Sequence, residues 1–257
     1  MMSHQFFALA AATLSLSAGL VSSPLPLDHA QALRGGATPG DAPGYPITIS
    51  QPGSYRLVSD LMVPAHADGI VVTAPHVTLD LNGHTISGPV RCVHSAADRR
   101  VECNWLVELS PRAGINTVAA PHSVIRDGVV TGFAGRGIHH GEATLIENVE
   151  VSSNAGAGIA GAGHANGGVV RDVLVRHNGG SGLVCDDLTV VRSSFADNGG
   201  TGVDCRRASF SDSVSRGNGG FGVADGFKPG LRTINNRLGA VASAAGQRDG
   251  PKNVAER

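Results

Sequence analysis

The sequence predicts an all-β solenoid of about seven stacked coils with a cap at its N-terminal end. Three observations lead there. First, residues 183–202 (LVCDDLTVVRSSFADNGGTG) align without a gap on residues 203–222 (VDCRRASFSDSVSRGNGGFG) and match at six of twenty positions. Second, an Asn-x-Gly-x-Gly phrase followed by an aliphatic residue recurs at Asn154–Ile159, Asn178–Leu183, Asn198–Val203 and Asn218–Val223, and more loosely at Gly132–Ile138. The aliphatics that close these phrases are spaced by 21, 24, 20 and 20 residues. Third, the segments between glycine clusters, such as LIENVEV (145–151) and VVRDVLV (169–175), are β-branched and alternate in polarity, as half-buried strands do. Helical repeats have periods of roughly 33 to 47 residues and leucine-rich repeats need Leu at several fixed positions, so both are excluded.

Composition agrees. There are 36 glycines in 257 residues without collagen spacing, 7 Phe, 2 Tyr and 1 Trp, and 16% charged residues. That excludes a triple helix, a long solvated helix and a disordered polyelectrolyte. Twenty Lys and Arg against 21 Asp and Glu leave a net charge of −1, so no basic surface for nucleic acid is expected.

In chain order, the apolar run FFALAAATLSLSAGLV (6–21) has the layout of a signal peptide, and cleavage is expected after Ala32, so that residues 1–32 are the leader. The run is shorter than the ~20 residues that span a bilayer, and no second one follows, so no membrane span is expected after cleavage. Residues 33–63 read as a linker followed by the cap, which runs from Tyr45 to Val63. The repeat occupies 64–237. Gly69-Ile70 is followed by Ala74-Pro75-His76, and Gly114-Ile115 by Ala120-Pro121-His122, which gives two further copies. Between them the spacing is 45 residues, about two coils' worth, and residues 90–112 read as a projecting loop bounded by Cys92 and Cys103. A disulfide between that pair is expected. Residues 238–257 read as a flexible tail.

Two columns of turn residues stand out. Asn154, Asn178, Asn198 and Asn218 share one turn position in four successive coils, where a side-chain amide can bond the next along the axis and tolerate a left-handed backbone. Asn82, Asp127, Asn148, Asp172 and Asp212 form the second column. Cys185 and Cys205 occupy equivalent positions in adjacent coils. Stacked, buried thiols are expected, with a bridge as the alternative, because parallel side chains hold their Cβ atoms further apart than a disulfide prefers.

The stretch GDAPGYPITISQPGSYRLVSDLMVPAHADGIVVTAPHVTLDLNGHTISGPVRC (40–92), with the NGGxG coils, resembles bacterial secreted right-handed parallel β-helix repeat proteins of the pectin-lyase-like superfamily. The resemblance covers residues 40 to 235. It implies a fold shared with pectate lyases, polygalacturonases and alginate epimerases, and an exported, periplasmic or secreted protein. Activity does not transfer with a fold. Of the polygalacturonase motif set only Asp186-Asp187 is present, and the Asp-Pro-His pattern of alginate epimerases is absent.

The candidate catalytic residues are Asp186 and Asp204, with Arg206 to hold an anionic sugar. Outward positions place the two carboxylates one coil and two residues apart, roughly 8 Å, within the window of about 6.5 to 9.5 Å that an inverting glycosidase uses. Arg206 stacks beside Asp186, so a surface ion pair is the competing use. His139, His140 and Glu142 form the densest cluster of ligand-type side chains, but strand alternation sends the two histidines to opposite faces, so neither a metal site nor a cofactor is expected. Sugar clefts stack aromatic rings, and here Trp105 beside the Cys-bounded loop is the one tryptophan. The expectation is a monomeric scaffold or binding module engaging carbohydrate or another surface polymer. The alternative is a polysaccharide hydrolase or lyase acting on the outer face of the rod.

Overall fold

A computed structural model describes residues 23–104, 112–163, 166–224 and 229–239. Trp105, His164, most of the segment read as a leader and the residues beyond 239 read as a tail lie outside them. The chain coils into a parallel β-solenoid. Its eight-stranded sheet contains one strand per rung: Ile47–Ile49, Ile70–Val72, Ile115–Asn116, Ile138–His140, Ile159–Gly161, Leu183–Cys185, Val203–Cys205 and Val223–Ala224. A fourteen-stranded sheet supplies the other two faces. In rungs two to seven it bends at a residue of positive φ, namely Asn82, Asp127, Asn148, Asp172, Arg192 and Asp212. That is the second turn column read from the sequence, with Arg192 added. Asn and Asp are tolerated there because their short polar side chains relieve the left-handed backbone.

Each face points one ladder of side chains inward. Ile47, Ile70, Ile115, Ile138, Ile159, Leu183, Val203 and Val223 lie in register along the eight-stranded sheet, all buried. Tyr55, Leu79, Ile125, Ile146, Val170, Val190 and Phe210 form the second ladder, and Ile86, Val130, Val151, Val175 and Phe195 the third. β-branched side chains suit these pleated, in-register stacks because their restricted χ1 leaves little entropy to lose.

There are eight rungs where the sequence suggests about seven. Ile47–Ile49, assigned to the cap, pairs in parallel with Ile70–Val72 and is rung one. The cap is built from residues assigned to the leader. Leu25–Leu27 adds in parallel to Tyr55–Leu57, and the helix His29–Arg34 follows, its N-terminus capped by the Asp28 carboxylate, which accepts from the Gln31 N–H at 2.7 Å. Leu27 and Ala32 are both fully buried in the end of the core, and His29 Nδ1 lies 2.8 Å from the Tyr45 hydroxyl. Residues 25–34 therefore cover the open apolar end and edge of the first rung.

The Asn column is a continuous hydrogen-bonded ladder. Asn154, Asn178, Asn198, Asn218 and Asn236 are buried, and the Nδ2 of each of the first four donates to the Oδ1 of the next at 2.9 to 3.0 Å. Each backbone N–H donates to the same Oδ1 at 3.0 to 3.1 Å. The ladder starts one rung earlier, where the Phe133 N–H donates to Asn154, and ends one rung later than the repeat phrase indicates, at Asn236.

Both cysteine pairs are bridged. Cys92–Cys103 closes an antiparallel hairpin of Cys92–Ser95 and Arg100–Cys103. Cys185–Cys205 joins adjacent rungs, which corrects the expectation of free thiols: at these strand ends the Cα atoms approach to 4.5 Å, closer than the usual rung spacing of about 4.8 Å, and the sulfurs reach each other across the step. The hairpin does not project. It folds along the rod over a column of glycines, where an added Cβ at Gly179 would lie 3.1 Å from Cys103 Sγ, at Gly199 3.3 Å from Val101 Cβ, and at Gly219 2.5 Å from the Arg99 carbonyl oxygen. Bare backbone at three successive turns makes the track on which it lies.

Candidate functional site

The outer faces differ in charge. On the fourteen-stranded sheet, opposite charges pair across rungs: Arg56 and Arg126 on Asp80 at 3.3 and 3.2 Å, Arg176 on Glu150 at 3.0 Å, Arg192 on Asp172 at 2.7 Å, and Arg171 on Glu147. These groups are occupied with one another. The outward column of the eight-stranded sheet is Thr48, Val71, Asn116, His139, Ala160, Val184, Asp204 and Ala224, small and mostly uncharged side chains in register. Asp204 is its one carboxylate.

At the C-terminal third of this face the predicted residues come together. Asp186, Asp204 and Arg206 line one shallow cavity of about 340 Å³ with Val184, Cys185, Gly161 and Gly163. The sequence dictates the shape locally. Glycines one rung earlier leave the floor open, and the Cys185–Cys205 bridge fixes the step on which both carboxylates stand. Two details differ from the sequence-based geometry. The direct neighbour of Asp204 in register is Val184. Asp186 lies just past its strand with only 8% exposure, and it is held by Arg207, whose Nη2 is 3.0 Å from Oδ2 and whose backbone N–H donates to the Asp186 carbonyl at 2.6 Å. Arg207 was not among the candidates. Strict alternation misplaces it, because the chain turns immediately after Cys205.

His139 is the second chemistry-bearing group on this column. Burial, with Arg136 and His140 beside it and Asp68 opposing, holds its imidazole down to about 4, so it is neutral at pH 7 and can accept a hydrogen bond. His140 points inward, 1% exposed; its Nδ1 is 2.9 Å from the Gly141 carbonyl, and burial lowers its pKa as well. The two rings face opposite sides of the strand, as alternation requires. No group of three or more His, Cys, Asp or Glu able to hold a metal ion occurs among the described residues. No described helix is long and apolar enough to cross a membrane.

No family model matches the chain, and no curated protein matches it. Among solved structures, a double mutant of the periplasmic alginate epimerase AlgG is similar, with a TM-score of 0.41 and 11% identity over 76% of this chain and 67% of that one. The likeness is one of fold.

Proposed function

We propose that this is an exported β-helix protein that engages carbohydrate or another linear surface polymer along the outer face of its eight-stranded sheet, as a scaffold or binding module. The observation that supports it is the contrast between faces. On two faces Arg171, Arg176 and Arg192 are held in cross-rung ion pairs, while the third carries a column of mostly small, uncharged outward positions repeating at the rung spacing, with Ala160 buried and Asn116, His139 and Asp204 as its polar groups. A repeating polymer matches a surface whose outward positions recur about every 4.8 Å.

Export is supported by the two disulfides, which suit an oxidising compartment. The bonding of Asp186 favours binding over turnover, because a general acid must exchange its proton freely and this carboxylate is nearly buried against Arg207.

A second reading rests on the cavity itself, which brings Asp186, Asp204 and Arg206 together. In it, Asp204 and Asp186 act as acid and base of a hydrolase or lyase, and Arg206 holds an anionic sugar. One experiment separates the two. The secreted protein is incubated with neutral and uronic-acid polysaccharides, and both retention and new chain ends are measured for wild type, Asp186→Asn and Asp204→Asn. Retention without product in all three supports the binding module. Product formed by wild type and lost in either variant establishes the enzyme.

A further inference from the structure

The hairpin and the rod enclose a second cavity, of about 270 Å³, on the side of the molecule where the glycine turns lie. It is lined by His94, Ala96 and Arg99 of the hairpin, by Asp197, Arg216 and Gly217 of rungs six and seven, and by Ile234 and Asn235 of rung eight. We propose that this seam binds the carboxylate of an acidic sugar, with Arg99 from the hairpin and Arg216 from the rod as the two cationic clamps. Four observations carry the proposal.

The lining includes two arginines, Arg99 and Arg216, against one aspartate, Asp197, and among the described residues neither arginine forms an ion pair, whereas Arg171, Arg176 and Arg192 are paired across rungs. His94 Nε2 is buried with no hydrogen-bond partner, while its ring is fixed by stacking on His177 with centroids 5.2 Å apart. An imidazole N–H held this way can donate to an oxygen in the cavity. Arg99 occupies the last position of the hairpin turn with φ of 53°, where Gly is the ordinary choice. An arginine in a left-handed conformation costs stability, which is consistent with a functional rather than a packing role. The size of the cavity suits one sugar ring rather than a polymer strand, and a planar carboxylate matches the guanidinium fork. Asp197 disfavours a doubly charged group.

The inference rests on the polymer-binding reading only in taking a sugar as the carrier of the carboxylate. Its test therefore uses monosaccharides. Galacturonate, galactose and inorganic sulfate are titrated calorimetrically into the full chain, wild type and the variants Arg99→Ala, Arg216→Ala and Arg171→Ala. Galacturonate is expected to bind, galactose and sulfate far less. Arg99→Ala and Arg216→Ala should each weaken binding about tenfold or more, the loss typical of one charge-assisted pair, and Arg171→Ala, which lies outside the seam and is paired with Glu147, should change nothing. Both arginines are at least partly exposed, so the variants should retain the wild-type melting curve. As a second readout, galacturonate should slow tryptic cleavage after Arg99 and Arg100 in the wild type. Unchanged affinity in both arginine variants, equal binding of galactose or sulfate, or no galacturonate binding would overturn the proposal. A wild type that retains neutral polymers but not galacturonate keeps the module and loses this site; one that binds galacturonate but no polymer does the reverse.

Discussion

Asn178 donates through Nδ2 to Oδ1 of Asn198 at 2.9 Å, and Asn198 donates in turn to Asn218 at 3.0 Å, all three without solvent exposure. Truncating Asn198 therefore removes the acceptor of two N–H groups on one side and a donor on the other. Asn198→Ala should destabilise the rod by about 1 to 3 kcal/mol, the cost of buried polar groups left unsatisfied. Asn218 also has a rung beyond it and should behave alike, whereas Asn236 ends the described ladder and should cost less. Urea denaturation of the three variants checks this ranking; equal and negligible losses would show that the column does not act as a ladder.

Peptide mapping under non-reducing conditions should recover Cys92 linked to Cys103 and Cys185 linked to Cys205, with no free thiol among the four. Replacing Cys185 and Cys205 by Ser should cost about 3 kcal/mol on the chain-entropy model for a loop of this length. The shallow cavity stands on that step, so the double variant should also lower any affinity that depends on Asp204.

On the proposed export, the N-terminus of the mature chain should fall before Leu25. Cleavage after Ala32 would remove the strand Leu25–Leu27 and cut the helix His29–Arg34, and so expose Ile47, Leu57 and Leu61 at the end of the rod. Intact-mass measurement of the secreted protein decides the point. A chain engineered to start at Leu33 should aggregate, because an uncovered first rung presents apolar side chains and a strand edge.

Stability should fall as pH drops from about 6.5 towards about 4. In that window the unfolded chain binds protons at its histidines while His139, held near 4, the buried His140 and the half-buried His177 resist protonation in the fold. The unfolded state therefore takes up more protons, and acid favours it; above about 6.5 the penalty is absent. Melting temperature measured across this range should decline, and His139→Asn should flatten the decline. A profile unchanged by that substitution would remove His139 as a contributor. Asp60 and Asp172, held low by the Thr85 N–H and by Arg192, lose their contributions only below this window.

Much of the fold is legible because a solenoid repeats its instructions. The aliphatic that closes each glycine phrase is the inward residue of the eight-stranded sheet, and the Asn and Asp columns are the turns. What escaped reading is what occurs once. The first rung carries Pro46 where every later rung carries a Gly directly before its aliphatic, so Ile47–Ile49 does not look like a coil. The cap follows the apolar run 6–21 in the sequence and is hidden by that composition. Asp186, Asp204 and Arg206 could be placed beside one another because they sit in two adjacent copies that align without a gap. Arg207 was missed because period-two alternation stops at a turn, and the cavity beneath the hairpin was missed because its two arginines are more than a hundred residues apart.

In a stack of coils each layer ordinarily touches only the ones above and below, so the ends can fray independently of the middle. The Cys92–Cys103 hairpin breaks that rule. It leaves the rod after the second rung and comes to rest on the turns at Gly179, Gly199 and Gly219, across the last four. Peeling away the final rung then also disturbs a segment rooted near the opposite end. The strap turns a chain of neighbour contacts into a closed circuit, and unfolding that could begin layer by layer is tied to the molecule as a whole.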